Sequence, residues 1–341
     1  MNPLVYIVIL NWNKNEQTLD CIRSVLKSSY PNYKISVIDN GSSEKLDKRL
    51  ADEFPEIDYY YSPENLGFTG GVNIGIERAL EHDADYIWLL NNDVEVPEDC
   101  LTKLVSFAES ETNIGLASPL IVNVNKPERP FYGSYRDDDL GVLRHSYDLC
   151  IYQEWVDKNP TKIGLWGTAL LIKRRLVERI GMLDSDFFAY YEDDEYSYRS
   201  SKAGFLNKTC LDAKITHLTD SKEIIEHKHY RTFLMARNHY LFWIKSGVTR
   251  NDAIYRCLER YLPKIQKLSL TNDKQTLNAM VGGLWHAIVL HRFGPLPEHI
   301  SAPILVVDLI KLLAKPSYKI LTEMRRITRR IRRRIKHYLK F

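Results

Sequence analysis

Short apolar runs punctuate the first third of the chain. Residues 5–10 and 86–90 are continuous stretches of aliphatic, β-branched or aromatic side chains, and 35–39 and 57–61 are mostly so. That is the pattern of strands buried on both faces. Between them, residues 18–27, 44–54 and 72–82 repeat apolar positions at helical spacing. A further helix is expected after Pro97, because proline in a first turn followed by Glu98 and Asp99 is a good helix start. The alternation of strand and helix predicts an α/β fold, with a parallel sheet covered by helices on both faces.

Residues 119–165 break this rhythm. They hold Pro119, Pro127, Pro130 and Pro160, an acidic run at Asp137-Asp138-Asp139, and many turn formers. They read as an excursion over a ligand cleft, containing short strands. Regular pattern returns with a strand at 168–172, a helix at 174–180, a helix at 193–203 ended by Gly204, and a strand at 213–216 leading to His217. From Glu223 onward the pattern is mostly helical, so a domain boundary is expected near residue 220. There is no internal repeat.

Composition narrows the class without naming a function. Hydrophobic content of 44% and charged content of 27% are those of an ordinary globular protein. The five cysteines, Cys21, Cys100, Cys150, Cys210 and Cys257, are scattered and never paired as CxxC. That argues against a disulfide framework or a zinc site and fits a reducing compartment. The apolar run at 5–10 is short and lacks a basic leader, so it reads as a first strand rather than a signal peptide. No stretch is long and apolar enough to predict a spanning helix. The net charge of +3 conceals an asymmetry, because residues 319–341 carry ten Lys/Arg against one acid, Glu323, leaving the remainder net acidic.

Candidate chemistry lies where strands should end. Asn91-Asn92-Asp93 follows the apolar run 86–90. Such residues commonly close a strand as a turn, yet ligands of open α/β sheets bind at the same carboxyl ends, where a carboxylate can hold a divalent cation. Asp39, in Val37-Ile38-Asp39-Asn40-Gly41-Ser42, has two readings: an Asx turn, or an acceptor for a base or ribose. The stretch Asn65-Leu66-Gly67-Phe68-Thr69-Gly70-Gly71-Val72-Asn73-Ile74-Gly75 opens a helix with three glycines. Either its backbone N–H groups approach an anion, or the glycines allow close helix packing. It is not G-x-G-x-x-G and follows the third strand, which disfavours a dinucleotide-dependent oxidoreductase. Glu192-Asp193-Asp194-Glu195 follows the aromatic run Phe187-Phe188-Ala189-Tyr190-Tyr191. The helix dipole accounts for one or two acids in a first turn. Four repel one another, and an apolar wall raises a carboxylate's pKa and suits it to act as a base. His217, at a strand end, gains interest as a ligand only beside a metal-binding Asp93.

Taken in order, these segments resemble glycosyltransferase family 2, with its GT-A fold. The resemblance spans roughly residues 4–245 and rests on Val8-Ile9-Leu10-Asn11-Trp12-Asn13, the Asp39 segment, Asn65-Leu66-Gly67 with Gly70-Gly71-Val72-Asn73, and Leu90-Asn91-Asn92-Asp93. Gly167-Thr168-Ala169-Leu170-Leu171-Ile172, Tyr191-Glu192-Asp193-Asp194-Glu195 with Arg199, His217 and Ala236-Arg237-Asn238 complete it. Within the family it is similar to bacterial rhamnosyltransferase-like enzymes of cell-surface polysaccharide synthesis. The resemblance implies a mainly parallel, Rossmann-like sheet flanked by helices, with a helical C-terminal region. With the pattern and charge above, the chain is expected to divide into a catalytic domain at 1–220, a helical region at 221–315 and a basic tail at 316–341. The nucleotide-sugar half would be about 1–118 and the acceptor half about 119–220.

The same resemblance implies roles. Asn11, Asp39, Asn65, Gly67, Asn73, Asn91 and Asn92 would surround the donor, and Asp93 would bind Mg²⁺ or Mn²⁺ on its diphosphate with His217 as a further ligand. Gly167, Thr168 and Glu192 would shape the acceptor side, and Asp193 would be the catalytic base of an inverting transfer. Two departures stand out: Asn91 replaces an Asp of the family's Asp-x-Asp, and Glu195 stands where many members have Asp. The expected donor is dTDP-rhamnose and the expected acceptor a cell-surface polysaccharide or a lipid-linked glycan. The competing reading is a catalytically silent sugar-nucleotide-binding or scaffold protein.

The tail has its own pattern. Ile320, Met324, Ile327, Ile331, Ile335 and Tyr338 form one helical stripe among arginines, a basic amphipathic helix suited to an anionic membrane surface. Packing on the domain and RNA binding are the alternatives; no nucleic acid partner is expected. The expectation is a cytoplasmic enzyme held peripherally on the inner face of the cell membrane.

Overall fold

The computed structural model describes residues 2–139, 141–218, 227–297, 299–303 and 306–307. The tail at 316–341 and the end of the helical region therefore lie outside the described residues. The chain divides into two units, Met1–Ser221 and Lys222–Phe341.

The first unit is built on β1 (Val5–Asn11), whose apolar run is buried almost throughout. It pairs in parallel with β2 (Tyr33–Asn40) on one side and β4 (Tyr86–Asn91) on the other, and β3 (Asp58–Ser62) adds in parallel to β2. Up to this point the parallel sheet is as expected. β11 (Ala169–Lys173) then joins β4 antiparallel, β6 (Ile114–Asn123) joins β11 antiparallel, and β12 (Leu206–His217) runs parallel to β6. The short β5 (Val94–Glu95) closes the edge, giving a mixed sheet in the order β3-β2-β1-β4-β11-β6-β12-β5, with β7 (Lys126–Phe131) hung on β6.

Helices cover both faces. α1 (Asn15–Val25), α2 (Asp47–Glu53) and α4 (Cys100–Ser110) seal the core of Ile7, Ile9, Val37, Trp88 and Leu90. α3 (Gly67–Glu81), α6 (Arg174–Ile180) and α7 (Glu192–Lys202) seal the core of Tyr6, Val8, Ile38, Ile87 and Leu89. Successive residues of β1 thus feed opposite cores, as the two-residue period of a strand requires.

The irregular segment is more ordered than its prolines suggest. β6 runs straight through Pro119, which has no N–H to donate. Its partner β12 slips register between Cys210, opposite Pro119, and Lys214, opposite Leu120, so the bulge falls where the ladder bond is missing. Beyond β7, the strands β8 (Gly133–Asp137), β9 (Val142–Ser146) and β10 (Ile163–Gly164) form a small antiparallel sheet in the order β10-β8-β9. Between β9 and β10 stands α5 (Leu149–Lys158), started by Asp148, whose carboxylate accepts the Ile151 N–H at 3.0 Å.

The second unit contains α8 (Lys228–Lys245), α9 (Arg250–Ser269) and α10 (Lys274–Trp285). Thr249 caps α9 and Asp273 caps α10. Arg237 and Asn238 are buried here, with the Arg237 guanidinium donating to the Gly294 carbonyl at 2.8 Å. His239 is fully buried, and burial together with Arg260, Lys264 and Arg256 holds it well below the ordinary histidine range, hence neutral. Among the described residues no helix is long and apolar enough to cross a membrane.

Candidate active site

Strand register gathers three polar residues at one edge of the sheet. Asn11 lies across from Asp39, and Leu10 across from Asn91, so β1, β2 and β4 all end together. A hydrogen-bonded chain laces this edge. Asn92 Nδ2 donates to Thr18 Oγ1 at 3.0 Å, and that hydroxyl lies 2.9 Å from Asn11 Oδ1. Asn11 is wholly buried and also donates to Asn15 Oδ1 at 2.9 Å. Asp39 is equally buried; Oδ1 accepts the Ser42 N–H at 3.0 Å and Oδ2 accepts the Tyr59 hydroxyl at 2.9 Å. The Asx turn is therefore formed, with Gly41 at φ +79° completing it. Asn11 and Asp39 shape the edge from beneath.

The glycine-rich stretch brings a helix close to the sheet. A Cβ on Gly71 would meet Leu10 Cδ1 at 2.4 Å, and one on Gly75 would meet Val8 Cγ1 at 2.2 Å. The N–H of Thr69, in the first turn of α3, donates to the Phe188 carbonyl at 3.0 Å. Asn40, placed by the sequence only in a turn, is the organiser: its Nδ2 donates to the Gly67 carbonyl at 2.9 Å and to Asn65 Oδ1 at 3.1 Å, while its Oδ1 accepts the Leu66 N–H at 3.0 Å. Asn65 Oδ1 also accepts the Gly67 N–H at 2.8 Å. Asn73 is engaged at both ends by the backbone of Leu183, at 2.8 and 3.1 Å. Asn65, Gly67 and Asn73, the residues expected around the donor, thus make hydrogen bonds to protein partners. They hold α3 and the 183–188 segment in place.

The four consecutive acids separate into different roles. α7 opens after Phe188, Tyr190 and Tyr191, which sit at φ +62°, +70° and +73°. Such left-handed conformations cost about 1–3 kcal/mol per non-glycine residue and cluster at functional sites. Glu195 pairs with Arg199 Nε at 2.8 and 2.9 Å, and the same guanidinium donates to the carbonyls of Ile180 and Met182, so this pair ties α7 to the end of α6. Asp194 Oδ1 accepts the Ser134 hydroxyl of β8 at 2.8 Å. Asp193 Oδ2 accepts the Gly167 N–H at 3.0 Å, and burial, with Asp194 adding like charge, pushes its pKa up to about 7. Glu192 is buried, is pushed well above the carboxylate range by burial and then by Asp193, and has an Oε2 with no hydrogen-bond partner.

Two consecutive residues join the halves of the site. Gly167 holds Asp193, and the carbonyl of Thr168 accepts the Asn91 N–H at 2.9 Å. The Phe68 ring, from the first turn of α3, would lie 3.3 Å from a Cβ on Gly167. The segments 65–68, 91–93, 167–168 and 193 therefore converge.

On the other side of Asn91-Asn92, Asp93 Oδ2 lies 3.0 Å from His217 Nε2. Their backbones are fixed, since the Asp93 carbonyl accepts the Leu218 N–H at 2.8 Å and β5 pairs with the end of β12. Asp93 Oδ1 is buried without a hydrogen-bond partner. An uncompensated carboxylate oxygen beside an imidazole nitrogen suits a hard or borderline divalent cation. Among the described residues no group of three or more His, Cys, Asp or Glu gathers, so the protein would supply few of its ligands.

Residues 6–181, over half of the chain, match the model of the family described as glycosyl transferase family 2. A low-salt glycan biosynthesis hexosyltransferase of Haloferax volcanii is 26% identical over 69% of this chain and 74% of its own length. The dTDP-rhamnosyl transferase RfbF of Shigella flexneri is 24% identical over 73% of this chain and 82% of its own. An N-acetylglucosaminyl-diphospho-decaprenol L-rhamnosyltransferase of Mycobacterium tuberculosis is 26% identical over 54% of this chain and 66% of its own. Among solved structures, a mannosyltransferase of Pyrobaculum calidifontis, in complex with GDP-Man and Mn²⁺, matches with a TM-score of 0.53 at 17% identity, covering 95% of this chain and 84% of that one.

Proposed function

The chain belongs to glycosyltransferase family 2, and on that footing we propose that it moves a hexosyl group from a nucleotide-diphosphate sugar to an acceptor hydroxyl with inversion. Asp193 is the base. The observation that carries this reading is the Gly167-Thr168 bridge, which ties a carboxylate with a pKa near 7 to the turn that ends β4.

An acceptor hydroxyl is a weak nucleophile, and a carboxylate positioned to take its proton helps the attack. A pKa near the working pH maximises the useful product of ionised fraction and basicity. The proton passes from the acceptor oxygen to Asp193 as that oxygen bonds to the anomeric carbon and the nucleoside diphosphate departs with the bonding electrons. One base with a single displacement gives inversion. The Gly167 N–H orients the carboxylate, and burial pushes the neighbouring Glu192 carboxyl well above the ordinary carboxylate range, which disfavours a competing charge beside it.

Asp93 and His217 are the residues that would hold Mg²⁺ or Mn²⁺, on the strength of the unpartnered Oδ1. Such a cation neutralises charge developing on a departing diphosphate. The Mn²⁺ of the Pyrobaculum mannosyltransferase complex supports a divalent cation. Asn11, Asp39, Asn65, Gly67 and Asn73 serve the donor by shaping its bed, while Asn91 and Asn92 stand at its edge; Gly167, Thr168 and Glu192 lie on the acceptor side. The relatives support dTDP-rhamnose as the donor and a polysaccharide or lipid-linked glycan as the acceptor. Residues 1–220 form the catalytic domain, 221–315 the helical region, and 316–341 the part that meets an anionic membrane surface on its cytoplasmic side.

Asp193→Asn tests the assignment. Transfer should fall by about 10²–10⁴-fold, the range of a lost general base, while stabilisation by the nucleotide-sugar persists. Turnover close to wild type would place the base elsewhere.

A further inference from the structure

An aromatic group adjoins the site and has no part in the chemistry above. Phe131, at the end of β7, is 4% exposed and stacks on Trp166 with ring centroids 3.5 Å apart and planes 9° from parallel. The Phe131 ring also meets His145 and Tyr147, each at 6.0 Å, and His145 lies 5.7 Å from Trp166. His145 lies near the end of β9 and Tyr147 just beyond it, and both rings meet Phe131. Phe131 is buried beneath them, but Tyr147 is 39% exposed and His145 is exposed. Arg129 lies over the Tyr147 ring at 4.8 Å.

The group is continuous with the reaction centre. Trp166 directly precedes Gly167, whose N–H holds Asp193, and the charge of His145 acts on Asp193 in the sense that favours its ionised form. Exposed rings carrying polar tips suit a ligand that is apolar on one side and hydroxylated at its rim. A pyranose ring has that character, with C–H groups on its faces and hydroxyls around its edge. An aliphatic chain would gain nothing from the imidazole, the phenol or the guanidinium.

We propose that Tyr147, His145 and half-buried Trp166, backed by Phe131, form the seat for a sugar ring of the acceptor, with its reacting hydroxyl turned toward Asp193. This rests on the glycosyltransferase reading. Donor binding belongs to the opposite side of the Gly167-Thr168 bridge, so the two functions respond to different substitutions.

The full-length chain and its His145→Ala/Tyr147→Ala variant are applied to an array of defined mono- to tetrasaccharides. In parallel, melting temperatures are measured with dTDP- and UDP-sugars and Mn²⁺. Both positions are exposed, so the variant should fold as wild type does. The wild type is expected to retain a subset of saccharides, and the double variant to lose that signal by about fivefold or more, the scale of a few aromatic contacts. Tyr147→Phe, which keeps the ring, should retain most of it. Nucleotide-sugar stabilisation should be the same in all three proteins. Equal saccharide binding by the double variant, or no saccharide retained by the wild type, overturns the seat. Failure of every nucleotide-sugar to stabilise the wild type would instead overturn the glycosyltransferase reading, a separate readout from the array.

Discussion

Asp193 rests on two unlike supports. Burial and the neighbouring Asp194 disfavour its charge, while the N–H groups of Gly167 and of Asp194 favour it, and the balance stands at about 7. Transfer should therefore decline as pH falls through about 7, and a pH–rate profile under saturating donor checks this. The stability consequence has the opposite sense. A carboxyl whose folded pKa is raised binds more protons folded than unfolded, so its ionisation weakens the fold as pH rises through the folded value. Asp193→Asn should raise the melting temperature at pH 8, by about 5 °C, and the gain should shrink as pH falls toward 4. A gain that is the same at both pH values would mean that Asp193 titrates normally. The residue scale is also where the sequence was least legible. Asn40, Thr18 and Ser134 are ordinary turn and helix residues in sequence, and only the fold makes them the links to Asn65, Asn92 and Asp194. Asp93 and Asp193 could be singled out because each follows an apolar or aromatic run that a turn alone does not require.

At the scale of elements, α3 shows how closely packing and site are joined. Gly75 presses on Val8 and Gly71 on Leu10, so the helix lies against β1 and its first turn reaches Phe188 and Gly167. Gly75→Ala would drive a methyl to 2.2 Å from Val8 Cγ1, and should destabilise the protein by about 1–3 kcal/mol in denaturant unfolding. Wild-type stability in that variant would show that the helix can lift without cost. The parallel strands β1 to β4 and their helices were readable because each is a mostly apolar or aromatic run or a helical stripe. β6 was obscured by Pro119, whose missing donor is accommodated by a bulge on β12, a partner just over ninety residues away. The early part of β12 was hidden by Asn207, Lys208 and Asp212, polar residues in a strand that lies near the sheet's edge. α5 went unread because its cap, Asp148, follows an acidic, proline-rich stretch with the composition of a loop.

For the whole molecule, the mixed sheet is the α/β architecture that the strand–helix alternation implied, altered by β11 entering antiparallel beside β4. The division into Met1–Ser221 and Lys222–Phe341 leaves every residue assigned to chemistry in the first unit. The charge asymmetry leads to a prediction at this scale. The full chain should float with anionic vesicles at low salt and be released at high salt, because each Lys or Arg near such a surface contributes about 1 kcal/mol that salt screens. Sedimentation free of lipid at low salt would remove the membrane from the proposal. A consequence of different kind follows from Gly167 and Thr168. The contacts that join Asp193 to the end of β4 are the Gly167 amide hydrogen and the Thr168 carbonyl oxygen, each belonging to the main chain. Truncating the Thr168 side chain to alanine removes neither contact. Under the proposed mechanism, the spacing between Asp193 and the end of β4 is thereby set by the main chain of a single dipeptide rather than by any side chain of it. Proline at 167, or an ester in place of that amide, is the alteration to which such a gauge is sensitive.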